Sequence, residues 1–200
     1  MTPNRLPNSV TTMSELKNKR IWTHTIDKTP GKHDHIKKRP FANVTSPKNW
    51  NTYETVKNLP QMQENGVFAG IKTSWNLGFI VLDIDVKENE EIPPDLIAFL
   101  TENKTYVEYS PSGNGLHVIY SLDKETRALS KNNVSKLSMS TDDGHLFNGD
   151  IRFNNQFVTI TGNTLPMSTD EIAVIGLDIQ IAVSGQSFIF RIHCPGSGQT

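Results

Sequence analysis

The 200-residue sequence holds one cysteine, Cys194, which excludes an internal disulfide and any multi-cysteine zinc cluster. It also lacks an apolar run approaching the roughly 18–20 residues that span a bilayer, so no membrane partner is expected. Met1 to Ser14 is polar, without the apolar core of a secretory signal. Charge of one sign is missing too. Twenty basic residues stand against twenty-one acidic ones, a net charge of −1. Any contact with a polynucleotide therefore has to be a local patch rather than a basic coat. What is present is an apolar fraction of 36%, enough for a real core in a chain of this length.

Residues 1–18 mix Pro, Asn, Thr and Ser without periodicity and read as a loose leader. Arg20 to His24 is a first short strand. A basic, turn-rich stretch with Lys37, Lys38 and Arg39 follows. Trp50, Tyr53 and Val56 then mark a short helix ending before Pro60. Val67 to Ile71 and Leu77 to Asp85 read as strands joined by a turn around Ser74-Trp75-Asn76. Phe79-Ile80-Val81-Leu82 is apolar on both faces, as a strand covered on both sides requires. Pro93-Pro94-Asp95 opens a helix with Leu96, Phe99 and Leu100 on one face. Thr105 to Tyr109 and Leu116 to Tyr120 are strands flanking the tight turn Ser110-Pro111-Ser112-Gly113-Asn114-Gly115.

Residues 123–144 are polar and read as a mobile insertion or a surface helix. Asp150 to Phe153 and Gln156 to Thr161 flank Asn154-Asn155, the pattern of a hairpin with a two-residue turn. Ser168-Thr169-Asp170-Glu171 matches a capping box before a short helix. Ser187 to Ile192 is an edge strand. The order of elements is α+β, with antiparallel hairpins and few helices.

Three places could carry chemistry. Asp83 and Asp85 end the most apolar strand, two apart and therefore on one face, with Cα atoms roughly 6–7 Å apart. They continue the face of Phe79 and Val81, where two carboxylates are costly unless a divalent metal compensates them or the strand has emerged into solvent. The turn before His117 has glycines at 113 and 115, which let backbone N–H groups point into a concavity suited to phosphate; an ordinary hairpin turn fits the same residues. Third, with Asn154-Asn155 as the turn, Phe153 faces Gln156 and Asp150 faces Thr159. Ile151 and Val158 then share the core face, and Asp150, Arg152, Phe157, Thr159 and Thr161 the other. Asp150 beside Asp83 and Asp85 would complete a ligand set for two metals about 3.5–4 Å apart. An exposed Asp150–Arg152 face is the alternative, and a one-residue slip overturns the pairing.

In this order the three places resemble the catalytic domain of primase-polymerases of the archaeo-eukaryotic primase superfamily, phage and plasmid replication-protein type. The matching segments are Phe79 to Asp85, Tyr109 to His117, Gly149 to Phe153 and Phe157 to Gly162. Trp22, Lys38-Arg39-Pro40-Phe41 and Trp50 resemble that family's N-terminal unit. The likeness spans about residues 20–165. It implies a mixed or antiparallel sheet resembling an RNA-recognition fold, packed with an N-terminal α/β unit: 19–66 the N-terminal unit, 67–165 the catalytic sheet, and 166–200 a C-terminal extension.

The resemblance further implies a DNA primase/polymerase in which Asp83, Asp85 and Asp150 hold two Mg²⁺ or Mn²⁺ ions, with no zinc. Ser112, Gly113, Asn114, Gly115, His117, Arg152 and Thr159 would bind the NTP or dNTP. Lys37, Lys38 and Arg39 are candidates for contact with a single-stranded DNA template or primer. A replicative helicase, in cis or in trans, and a cytoplasmic location go with that family. Gly115 stands where many members carry serine. Gln156 stands where many carry arginine or lysine, so one phosphate contact is missing or moved to Arg152.

Two rival readings differ in class. A rolling-circle nuclease needs a histidine–apolar–histidine pair, and His33-Asp34-His35 puts an aspartate between its histidines. A noncatalytic single-stranded-DNA-binding or replication-initiation module on a degenerate primase fold is the other. Dependence of synthesis on Asp83 and Asp85 separates it from the enzyme.

Overall fold

The computed structural model describes residues 9–25, 39–43, 46–73, 77–86, 91–122, 137–140, 146–153, 155–181 and 188–193. Lys37, Lys38, Asn154 and Cys194, and most of the polar 123–144 stretch, lie outside them. The elements are α1 (Met13–Lys17), β1 (Trp22–His24), α2 (Tyr53–Lys57), β2 (Ala69–Lys72), β3 (Phe79–Asp85), α3 (Pro94–Asn103), β4 (Tyr106–Tyr109), β5 (Gly115–Leu122), β6 (Leu137–Ser140), β7 (Leu146–Arg152), β8 (Phe157–Ile160), β9 (Val174–Ile181) and β10 (Phe188–His193). The fold is mixed α+β, with two largely antiparallel sheets and few helices.

The larger sheet is built around β3, which pairs antiparallel with β5 on one side and β7 on the other. β4 extends it beyond β5. From β7 the pairing continues through β6, β10 and β9, and β9 returns to β5 at Ser121 and Leu122. The hydrogen-bonded neighbours β3-β7-β6-β10-β9-β5 thus form a closed circuit. The smaller sheet has the order β1-β2-β8, antiparallel throughout.

Two cores follow from the alternation of β3. Ile80, Leu82 and Ile84 face one side, packing with Leu96 and Leu100 of α3 and with Leu116, Val118 and Ile151. Phe79 and Val81 face the other, against Ile71, Val158 and Ile160 of the small sheet and Met13 and Leu16 of α1. Both faces are covered, which is why this strand carries no polar residue before Asp83. α3 begins with proline in its first turn, carries Asp95 there, and buries Leu96 and Leu100 four residues apart. It stops at Lys104, which adopts the left-handed conformation at φ 44°.

Several expectations are corrected by this arrangement. Residues 9–18 are not a loose leader: Val10, Met13 and Leu16 are buried, and the Trp22 indole N–H donates to the Leu16 carbonyl. Apolar residues three apart, at 10, 13 and 16, supplied that anchor, the last two on α1, although the segment as a whole is polar. The boundary at 66/67 does not separate two units, because the small sheet joins β1 to β2 and β8. Nor is 166–181 an extension, since Ile172 and Val174 are buried and β9 belongs to the large sheet. β10 lies between β6 and β9 rather than at an edge, and 137–140 is a strand.

No helix follows Ser168-Thr169-Asp170-Glu171. Those side chains cap other elements instead. Asp170 accepts from the Ser14 N–H and hydroxyl at the start of α1, at 3.0 Å each. The Thr169 hydroxyl donates to the Lys104 carbonyl at the end of α3, and the Ser168 hydroxyl accepts from the Val107 N–H.

The expected hairpin between Asp150 and Thr161 is absent as well. β7 and β8 belong to different sheets, and the chain crosses between them at 153–156. Thr73 takes hold of the crossing: its N–H donates to the Gln156 carbonyl at 2.8 Å, and its carbonyl accepts from the Asn155 N–H at 3.0 Å. Asn155 does adopt left-handed geometry, φ 51°. Ile151 and Val158 therefore enter separate cores.

His24 is buried on β1, stacked on Phe41 at 4.9 Å, and its Nδ1 has no hydrogen-bond partner among the described residues. Burial holds its pKa below the ordinary histidine value. The unfolded chain then binds the proton more readily, so this contribution to stability is complete above about pH 6.5 and is lost as pH falls below it. Urea midpoints measured at pH 7.5 and 5.5 should show a larger acid loss for the native protein than for a His24→Leu variant. Equal losses would remove His24 as the cause.

Candidate active site

Four ionisable residues stand in one rank across the large sheet. Glu108 on β4 is paired with His117 on β5, His117 with Asp83 on β3, and Asp83 with Asp150 on β7. Because register partners share a face, all four lie on the side of Phe79 and Val81, toward the small sheet. Arg152, two residues beyond Asp150, is on the same face opposite Val81. Close backbone approach sets the rank: a Cβ on Gly149 would run into the Asp83 carbonyl oxygen, and one on Gly115 would lie 2.8 Å from the Ile84 carbonyl oxygen.

The contacts run as a chain along the rank. One Arg152 Nη2 lies 2.6 Å from Asp150 Oδ2 and 3.2 Å from Asp83 Oδ2. The other Asp83 oxygen is 3.6 Å from His117 Nε2. His117 Nδ1 is 3.1 Å from Glu108 Oε1. Glu108 has no exposed surface. Its carboxylate accepts from the Tyr106 hydroxyl at 2.8 Å, from the Thr161 N–H at 3.0 and 3.1 Å to its two oxygens, and from the Gly162 N–H at 2.9 Å. A buried carboxylate is tolerable only with this many donors.

Burial alone would raise the Asp83 carboxyl, but His117 and Arg152 outweigh it and hold its pKa below the usual range. Burial alone would likewise depress His117, yet the carboxylates of Asp83 and Glu108 raise it. Burial, followed by the Glu108 charge, pushes the Tyr106 phenol upward, so it stays a hydrogen-bond donor.

The structure brings together Asp83, Asp150, His117 and Arg152 of the residues expected from sequence. Asp85 shares their face but lies two residues further on, exposed and opposite Gly115. Among the described residues, no group of three or more His, Cys, Asp or Glu side chains is close enough to cage a metal. Ser112, Gly113 and Asn114 are exposed at the tip of the β4–β5 turn. That turn closes on its own serine: the Gly113 N–H donates to the Ser110 carbonyl at 2.9 Å, and the Gly115 N–H to the Ser110 hydroxyl at 3.3 Å. These two amides are thus engaged internally rather than aimed at an anion.

Thr159 does not reach the site. It is buried in the small sheet opposite Gly70, and since Val158 and Ile160 face the large sheet, Thr159 faces away from it. Gln156 serves the crossing between sheets, its side chain accepting from the Phe153 N–H at 3.2 Å. Arg39 is exposed. Sequence reasoning passed over Glu108 and Tyr106. The signal was available: Glu108 is a carboxylate inside an apolar strand, on the face of Tyr106, the same oddity that drew notice to Asp83. No protein-family model matches the chain, and no curated protein matches it in sequence.

Proposed function

We propose that the protein is a template-dependent nucleotidyltransferase, a DNA primase/polymerase that makes or extends primers on single-stranded DNA from NTPs or dNTPs. The observation that carries this reading is the direct opposition of Asp83 and Asp150 on neighbouring strands, both partly open to solvent and bridged by a cation, here the Arg152 guanidinium. Two hard oxygen donors facing each other suit Mg²⁺ or Mn²⁺; Asp85, on the same face but two residues further along β3, would have to move toward them to serve as a third donor. When bound, such ions supply Lewis-acid stabilisation of a transferring phosphoryl group and of the leaving pyrophosphate.

The chain's own residues do the rest. Asp83 stays ionised because His117 and Arg152 favour its charged form. Among the described residues Arg152 is the cation nearest the carboxylates, and an α- or β-phosphate oxygen entering the site would meet its guanidinium. His117 has a carboxylate at each ring nitrogen, so it acts by orienting Asp83 rather than by gripping the triphosphate. The exposed tip Ser112–Asn114 and Arg39 remain for contacts with nucleotide or template.

A noncatalytic single-stranded-DNA-binding module is the second reading, favoured by one observation: Arg152 already satisfies Asp83 and Asp150, as in a structural ion-pair cluster. The deciding experiment supplies purified protein with single-stranded DNA, with and without an annealed primer, labelled NTPs or dNTPs, and Mg²⁺ or Mn²⁺. Products from the native protein that vanish in an Asp83→Ala/Asp85→Ala variant are expected. No product with either metal, and equal DNA binding by both proteins, would leave the binding module.

A further inference from the structure

We propose that Glu108 is a positioning residue of this site, acting on Asp83 through His117; the step to catalysis rests on the function proposed above. Glu108 is fully buried, and it reaches the candidate site through His117, at 3.1 Å. Its donors come from three directions: Tyr106 on its own strand, Thr161 and Gly162 after β8, and His117 on β5. A carboxylate held this way accepts only, so the nitrogen of His117 that faces it, Nδ1, must carry a proton. That bond turns the ring so that Nε2 addresses Asp83 Oδ1, which leaves Asp83 Oδ2 toward Arg152 and Asp150. A histidine oriented by a buried carboxylate behind it is a common way of fixing the groups that hold a cation.

Bracing is the competing role, since the same carboxylate also ties the 161–162 segment to β4. The variant Glu108→Gln separates the two. Its amide oxygen can still accept from Gly162 and Tyr106, while its NH₂ takes the place of the oxygen that faced Nδ1. His117 must then present a bare Nδ1 and keep its proton on Nε2.

Two readouts are needed. Long-range ¹H–¹⁵N NMR of the His117 ring reports which nitrogen is protonated, and needs neither metal nor substrate. Steady-state primer extension separates kcat from the nucleotide KM. The expected result is loss of the Nδ1 proton in Glu108→Gln with a kcat lower by about tenfold or more, from the 10–100-fold cost of such outer contacts. KM and the thermal midpoint should stay close to native. Retention of the Nδ1 proton in the variant would overturn the proposal. So would an unchanged kcat after the proton has moved, which would leave Glu108 as a brace only. If the native protein makes no product, the function proposed above fails, and the NMR result alone then decides whether Glu108 sets His117.

Discussion

Asp83→Asn is expected to lower primer extension by roughly a thousandfold or more, the scale at which a group essential to charge stabilisation is lost. The substitution keeps size and shape and removes one negative charge at the centre of the rank. Asp83 is the residue that faces Asp150, contacts Arg152 and abuts His117, so no neighbour can replace it. With the carboxylate gone, Asp150 loses the hard oxygen donor that faces it, and the negative charge available to attract a metal falls by one. Stability should fall by only about 1–2 kcal/mol, since the amide still offers an acceptor. Activity and Mn²⁺ titration measured beside a urea curve check this. Asp85→Asn, at an exposed position, should cost much less. Activity of Asp83→Asn within tenfold of native would refute the assignment.

Gly149→Ala should be the most damaging single methyl in the site. The new Cβ would meet the Asp83 carbonyl oxygen and lie 3.1 Å from the Ile84 Cα. Both are backbone atoms of the central strand and cannot swing aside, so β3 and β7 have to separate. A cost of about 2–3 kcal/mol follows from overpacking of this kind, and the widening falls where Asp83 and Asp150 face each other. The urea midpoint should drop, and synthesis with it. Gly113→Ala provides the contrast. That turn residue has φ +81° but open space around the added methyl, so only backbone strain of about 1 kcal/mol is expected. A Gly149→Ala protein as stable as Gly113→Ala would show that β7 is not pressed against β3 at this point.

Much of the fold was legible because it depends on local pattern. The doubly apolar run at Phe79–Leu82 is the central strand, α3 begins and ends near its expected signals, and β4, its turn and β5 lie where the glycines and Pro111 put them. Asp83 and Asp85 stood out as carboxylates on a strand otherwise too apolar to face water. What stayed hidden depends on competition between distant partners. Asn154-Asn155 is equally good at reversing a hairpin and at bending a chain from one sheet to another. Thr73 and the pairing of β8 with β2, both far away in sequence, decide for the second, and with them goes the expected pairing of Asp150 with Thr159. The Ser168–Glu171 cluster shows the same ambiguity. Its side chains are good caps, but the helix ends they cap belong to α1 and α3.

The composition of the small sheet has a consequence for how the protein comes to be folded. Trp22 pairs with Ile71, and Ile71 with Val158, so one narrow sheet gathers residues from near the start, the middle and the last third of the chain. Contacts of such long sequence separation are slow to form, because the loops between them must close first. A nascent chain that has reached β7 can assemble β3, β4 and β5 with α3. β2 at that stage has an open edge, and Phe79 and Val81 lack the cover that Val158 and Ile160 later bring. β8 is therefore the latch of the molecule. Until it arrives, the intermediate displays both an unpaired strand and an apolar face, the two features that promote association with other chains. Aggregation during refolding should accordingly be governed by the docking of residues 157–160, and a shortened chain ending before them should be far more prone to it than the 200-residue chain.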